Sequence, residues 1–245
     1  KKCQHWKNLL NNIEENFDSK KEIDLYQLSK TLGEILPDES SIVTDSGLIE
    51  VILPNNICFS NKMRCIHPNS QGSMGFAIPA AIGTYFASRK NVIVVVGDGS
   101  IMMNLQELEV IKYHKLPIKI IVISNNVYSI IRRRQKDLFR KRTIGTDKSN
   151  GISCPKFSKV AECFDLNFIN IKKESDLKKG LLELFSCEEP TICEVIGKES
   201  QGYIEVGVAK SILTNRLVRR PLEDQSPFLS RELFLKEMII DPIQQ

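Results

Sequence analysis

VIVVVGDGS (residues 92–100) and PIKIIVISNN (residues 117–126) decide how this chain is read. Each is an apolar run that stops at a small polar turn, Gly97-Asp98-Gly99 in the first and Asn125-Asn126 in the second. Between Gly99 and Asn125 lie residues 100–124, which is 25 residues. One helix and the second strand fill that length, so the stretch is a βαβ unit. In such a unit both strands end on the same edge of a parallel sheet, where open α/β folds bind ligands. Asp98 and Asn125 therefore arrive side by side at a candidate ligand edge.

The neighbouring segments extend the pattern in both directions. Upstream, residues 23–36 (IDLYQLSKTLGEIL) repeat apolar residues at helical spacing, and residues 41–44 (SIVT) make a short strand leading into Asp45-Ser46-Gly47. Residues 54–68 read as irregular. Residues 70–88 begin with a glycine turn and continue as a helix of small residues, with Pro79 in its first turn, where a missing N–H costs little. A helix is expected from about Met102 to Lys115, with Leu105, Leu108 and Ile111 as its core stripe. Downstream come a helix from Tyr128 to about Phe139, a loop over 143–154 and a helix starting on Pro155. A strand near 168–171, a helix over 175–187 capped by Ser175 and a last strand, Thr191–Ile196, follow. The alternation predicts an α/β fold, a doubly wound and mostly parallel sheet with helices on both faces. The expected divisions are residues 1–22 as a linker or the end of a preceding domain, 23–197 as the main domain, and 198–245 as a C-terminal arm. The arm shows no clear strand and ends in a short helix from about Ser230. The opening segment reads like the tail of something longer, so the chain is taken as a fragment or processed product.

Composition narrows the class. The chain has 245 residues, 42% hydrophobic and 26% charged, as in an ordinary soluble domain. A net charge of +4 spread over the length does not argue for nucleic acid, though it favours an anionic cofactor. Seven cysteines without a CxxC pair read as reduced thiols of a cytoplasmic protein rather than a disulfide or zinc framework. No apolar run approaches the ~18 residues of a membrane span. Arg132-Arg133-Arg134 and Arg140-Lys141-Arg142 read as a solvated helix face, with contact to an anionic substrate as the alternative. His67, just before Gly72, is a candidate for touching the site.

The chemistry gathers at the strand ends. Glycines flanking Asp98 let the backbone approach a ligand closely. The amides of Gly99 and Ser100 open the next helix, a seat for a diphosphate. Asp98 offers the hard carboxylate that Mg²⁺ takes, the Asn125 side-chain oxygen a neutral second ligand, and the Val127 carbonyl a third.

GDGS, the gap of 25 residues and NN resemble the diphosphate–magnesium signature of thiamine-diphosphate-dependent enzymes. GSMGFAIPAAIG (72–83), NLQELEVIKYHKLPIKIIVISNN (104–126) and the TDSG turn (44–47) resemble the same domain in the acetolactate synthase group. The likeness covers roughly residues 23–197. Residues 129–139, 145–161 and 220–229 further resemble acetolactate-synthase-like proteins encoded with surface-polysaccharide or nucleotide-sugar pathways. The resemblance implies thiamine diphosphate and Mg²⁺ as cofactors, with Asp98, Asn125 and Val127 as metal ligands. It implies diphosphate contacts from Gly97, Gly99 and Ser100, helped by Ser46 and Gly47. Gly72, Ser73 and Met74 would meet the aminopyrimidine ring, with the long, unbranched Met74 side chain as the wedge beneath the cofactor.

The implied reaction is decarboxylation of a 2-oxo acid followed by carboligation, a transferase or lyase activity. The resemblance also implies an activating glutamate on a pyrimidine-binding domain, in a missing N-terminal part or a partner subunit of a homodimer or homotetramer. Glu107 and Glu109 are wrongly placed for that role, so this chain is expected to hold no catalytic residue of its own. Acetolactate synthases often carry Gln-His just after the TDxG turn; here the stretch is Leu48-Ile49-Glu50, which puts strict acetolactate synthase activity in doubt. The alternatives are one subunit of a split 2-oxo acid decarboxylase and a non-catalytic binding module. A nicotinamide-binding domain fails for want of GxGxxG after the first strand.

Overall fold

The computed structural model describes residues 1–11, 22–203, 208–210, 217–219, 223–224 and 228–241. In chain order the elements are α1 (Lys2–Asn11), α2 (Leu25–Ile35), β1 (Ser41–Thr44), α3 (Leu48–Ile52), β2 (Arg64–Ile66), α4 (Ala77–Ser88) and β3 (Val92–Gly97). Next come α5 (Asp98–Ile101), α6 (Glu107–Tyr113), β4 (Lys119–Ser124), α7 (Ser129–Leu138), α8 (Phe157–Cys163) and β5 (Asn167–Ile171). The last are α9 (Glu174–Ser186), β6 (Thr191–Ile196), β7 (Val208–Lys210), β8 (Leu217–Arg219) and α10 (Arg231–Glu237). They fall into two compact units, one within residues 17–201 and one combining residues of 1–16 and 202–245. The linker expected before residue 23 lies largely on residues 12–21, outside the described ones.

The larger unit is built on a six-stranded sheet in the order β2-β1-β3-β4-β6-β5, every pair parallel. Residues 92–96 and 119–124 are buried throughout, as expected of strands covered on both faces. Val92, Val94, Val96, Ile118, Ile120 and Val122 turn to one face and meet Ala77 and Ala81 of α4, Leu108 and Ile111 of α6, and Phe157 and Val160 of α8. On the other face α2 packs on α9, α9 on β5, and α3 on β3. The fold is therefore the doubly wound α/β sheet anticipated from the strand–helix alternation. Its chain path leaves β1 toward β2 and β3 toward β4, so β1 and β3 flank the topological switch point. Open α/β sheets bind their ligands in the crevice at such a point.

Several local readings need correction. Residues 64–66, expected to be irregular, form the edge strand β2; three residues, one a half-exposed arginine, are too few to show a period. The helix expected over 102–115 is broken. It opens already at Asp98, tightens into a 3₁₀ turn at Met102–Asn104 and resumes as α6. The Asn104 side chain leaves the helix surface there to bond the Gly75 carbonyl at 2.7 Å. Ser175 does not cap α9, which starts at Glu174; its hydroxyl turns to Asp176, and the acidic first turn complements the helix dipole instead. In the smaller unit the C-terminal stretch, expected to lack strands, holds the antiparallel pair β7–β8. α10 follows Ser230, whose hydroxyl caps the Leu233 amide. Within this unit the His5 and Trp6 rings of α1 both bond the Glu237 carboxylate, at 3.0 and 2.9 Å.

Candidate cofactor site

Three strand ends and one loop converge at the switch point. β1 ends in Asp45-Ser46-Gly47, β3 in Asp98-Gly99-Ser100, and β4 in Asn125-Asn126. The loop before α4 carries Gly72 and Met74. Together they surround a cavity of about 200 Å³. From the first strand end it takes Ser46 and Gly47, and from the second Gly97, Asp98, Gly99 and Ser100. Asn125 and Val127 follow from β4, and Gly72 and Met74 from the loop. Ser73, the remaining candidate, is exposed and lies outside the lining. His67 is outside it too. Its Nδ1 is buried without a hydrogen bond, 3.7 Å from a Glu50 carboxylate oxygen.

Asp98 is the buried centre of the arrangement. One of its oxygens accepts the Asn125 and Asn126 amides at 2.9 and 2.6 Å, and the other accepts the Gly99 amide at 2.8 Å. Asn126 itself takes the left-handed conformation, φ 56°, which asparagine tolerates, and turns the chain away after its amide. Burial nevertheless pushes the Asp98 carboxyl above the usual carboxylate range; the three amides and the Cys154 thiol oppose that shift and are outweighed. Burial and then the nearby Asp98 charge push Cys154 up to about 12. A bound cation would remove this imbalance.

The residues present fit a magnesium–diphosphate group. Asp98, the Asn125 side-chain oxygen and the Val127 carbonyl are all hard oxygen donors, the set that Mg²⁺ takes. Among the described residues the Asn125 oxygen is engaged only by the Val127 amide, at 3.3 Å. Among the described residues no donor is bonded to the Val127 carbonyl, although Val127 itself is buried. At Gly99 the backbone approach is so close that an added Cβ would sit 1.9 Å from the Tyr128 ring.

A family model described as the thiamine pyrophosphate enzyme, C-terminal TPP binding domain, matches residues 45–195. The chain belongs to this family. The match opens on Asp45 and closes in β6, so it holds every strand end that meets at the cavity. Among curated relatives, the acetolactate synthase large subunit of Lactococcus lactis subsp. lactis is 30% identical over 175 residues, 70% of this chain and 29% of that protein. That of Buchnera aphidicola subsp. Schlechtendalia chinensis is 32% identical over 182 residues, 74% of this chain and 31% of the relative. Escherichia coli acetolactate synthase isozyme 2 large subunit is 28% identical over 69% of this chain and 30% of its own length. The chain thus spans less than a third of the length of these relatives. A solved structure, the thiamine diphosphate-dependent 4-hydroxybenzoylformate decarboxylase of Rhodococcus jostii RHA1, superposes with a TM-score of 0.68 at 26% identity. That match covers 78% of this chain and 35% of the decarboxylase.

This thiamine pyrophosphate enzyme domain also uses residues that the motifs do not single out. Buried Asp45 accepts the Gly75 and Ala77 amides at 3.0 and 3.3 Å and its neighbour Ser46's at 2.8 Å. The Ser100 hydroxyl also takes the Gly75 amide, at 3.3 Å. Gly75, at φ 85°, could not carry a side chain, since a Cβ would fall 2.7 Å from that of Met103. The loop bearing Met74 is thus held from β1, α5 and the 3₁₀ turn at once. A sequence signal existed for Asp45, a carboxylate directly after a buried strand that must find donors, but none existed for Asn104. The arginine run is not uniformly a solvated face: Arg132 is largely buried and bonds Glu199 at 2.6 Å.

Proposed function

We propose that this domain holds thiamine diphosphate and Mg²⁺ in an enzyme that decarboxylates a 2-oxo acid and joins the remaining fragment to an acceptor, as an acetolactate synthase does. Residues 23–197 form the cofactor domain in this reading. The cofactor would supply, when bound, a carbon nucleophile for the 2-oxo carbon and a cationic ring to take up the electron pair released with CO₂. The residues of this chain bind and orient it. Asp98, Asn125 and the Val127 carbonyl take the metal. Gly97, Gly99, Ser100, Ser46 and Gly47 line the diphosphate end, and Gly72 and Met74 the ring end. Leu25, Ile49 and Ile123 complete an apolar wall that keeps water from the ring. The observation that carries the reading is the burial of Asp98 between the ends of β3 and β4, with Asn125 and Val127 lining the same cavity.

Among the described residues no glutamate lines the cavity. The activating carboxylate is therefore assigned to a pyrimidine-binding domain, in another part of the polypeptide or in a partner subunit of a homodimer or homotetramer. All seven cysteines are free, which fits a reducing compartment such as the cytoplasm. No helix among the described residues is long and apolar enough to cross a membrane. A second reading, decarboxylation without carboligation, is favoured by Leu48 and Ile49. They are buried, line the cavity and stand where polar side chains follow the TDxG turn of many acetolactate synthases. Product analysis of the holoenzyme supplied with a 2-oxo acid separates the two: a condensed hydroxy-oxo acid supports carboligation, and a free aldehyde supports decarboxylation alone. Absence of both products, with cofactor bound, contradicts both readings.

A further inference from the structure

Residues 143–150 form a hydrogen-bonded strap against the one candidate metal ligand that is a backbone atom. The Tyr128 amide donates to the Thr146 carbonyl at 2.8 Å, and Val127 pairs with Asp147 in an antiparallel bridge. The strap thereby takes the backbone next to Val127 and leaves the Val127 carbonyl uncommitted. Asn150 is the hub of the strap. Its side-chain oxygen accepts the Thr146 and Asp147 amides at 2.7 and 3.0 Å, and its nitrogen donates to Thr143 and Asp147 at 3.1 and 3.2 Å. Thr146 is fully buried.

Helix α7, which starts directly after Tyr128, grips the strap at two points. Gln135 bonds both the amide and the carbonyl of Ile144, at 2.8 and 3.1 Å. Arg132 lies 3.6 Å from the Asp147 carboxylate and donates to the Glu199 carboxylate and carbonyl at 2.6 and 2.9 Å. Its own amide bonds the Tyr128 carbonyl at 2.8 Å. A side-chain ligand such as Asp98 can be aimed by rotamer choice. A carbonyl ligand can be aimed only by fixing the peptide that carries it, and the strap holds that same peptide through its Tyr128 amide.

We infer that the 143–150 strap is a brace for the Val127 carbonyl, with Asn150 as the positioning residue of the cation site and Arg132 and Gln135 as its anchors on α7. The inference rests on the proposed role of Asp98, Asn125 and Val127 as metal ligands. Partners that orient a metal ligand typically contribute about 10- to 100-fold in metal affinity. Asn150→Ala is expected to raise the Mg²⁺ concentration for half-saturation about tenfold at fixed pyrophosphate.

The test uses the full chain, Mg²⁺ and inorganic pyrophosphate. Val127-Tyr128 is the only Val–Tyr pair in the sequence, so ¹³C-carbonyl valine with ¹⁵N-tyrosine marks that one peptide for NMR. The account expects the Val127 carbonyl resonance to move on adding Mg²⁺ with pyrophosphate, and the same movement to need about tenfold more Mg²⁺ in Asn150→Ala. Should Asn150→Ala fail to fold, Gln135→Ala decides. It cuts only the exposed Ile144 grip and should weaken Mg²⁺ dependence two- to threefold, by roughly half of the logarithmic effect. A folded deciding variant with the wild-type Mg²⁺ dependence overturns the brace. So does a Val127 carbonyl that ignores Mg²⁺ in a chain that binds it. A chain whose Mg²⁺–pyrophosphate binding is absent, or survives Asp98→Ala, instead overturns the metal-site reading beneath it.

Discussion

The Asp45 carboxylate accepts the Gly75 amide at 3.0 Å across 30 residues of sequence. That bond joins the end of β1 to the loop that carries Met74. Ala77 and Ser46 share the same carboxylate, and Asn104 holds the Gly75 carbonyl from the other side. Loop and strand end therefore move as one body, and the position proposed for the ring end of the cofactor is fixed by residues that do not line the cavity.

Asp45→Ala leaves the Ser46 and Ala77 amides without their acceptor and the Gly75 amide with only the Ser100 hydroxyl. Each unsatisfied buried donor costs about 1–3 kcal/mol, so a loss of roughly 2 kcal/mol or more is expected. Urea denaturation measures it through the shift of the midpoint at unchanged slope. A loss below about 1 kcal/mol would mean that water replaces the carboxylate freely.

Gly99→Ala places a methyl group 1.9 Å from the Tyr128 ring. The ring must swing away from the strand end, and the chain should lose stability. In a Tyr128→Ala background the three atoms nearest to that methyl group are gone. The double-mutant cycle should therefore show a coupling of about 1 kcal/mol or more, within the range measured for residues in contact. Additive effects would contradict the contact.

The Glu237 carboxyl is lowered from the ordinary glutamate value, first by its bond to His5 and then by that to Trp6. A depressed carboxylate lends stability that is full above its unfolded value and is lost as pH falls through its folded value. The window is therefore below an ordinary glutamate's 4.5. Trp6 is the only tryptophan in the chain and bonds this carboxylate, so its fluorescence should report the step on acid titration. Glu237→Gln should erase that step, and an identical titration curve in the variant would contradict the assignment.

The sheet and the strand-end cluster of the candidate site were legible because both are local. Residues 92–97 and 120–123 are uninterrupted apolar runs, and each leads to a polar residue that lines the cavity, Asp98 and Asn125. Asp98 and Asn125 come together as a consequence of parallel pairing between adjacent strands. The ring end was less legible. Gly72 and Met74 stood out through resemblance, but Asp45 and Asn104 act through contacts 29–30 residues away, for which no spacing rule exists. The strap at 143–150 looked like plain loop, since side-chain hydrogen bonds within a turn leave no hydrophobic period. Arg132 looked solvated because its partners, Asp147 and Glu199, are distant in sequence.

The central claim is that Asp98 anchors a magnesium–diphosphate group in this domain. Its most direct test is thermal unfolding of the full chain with and without thiamine diphosphate and Mg²⁺, in parallel with Asp98→Ala. At a ligand concentration about 100 times the dissociation constant, binding adds about 2.7 kcal/mol of stability. The account predicts a clear rise in melting temperature for the wild-type chain, dependent on Mg²⁺ and absent in Asp98→Ala. An equal rise in both chains, or a rise that persists without Mg²⁺, would contradict it.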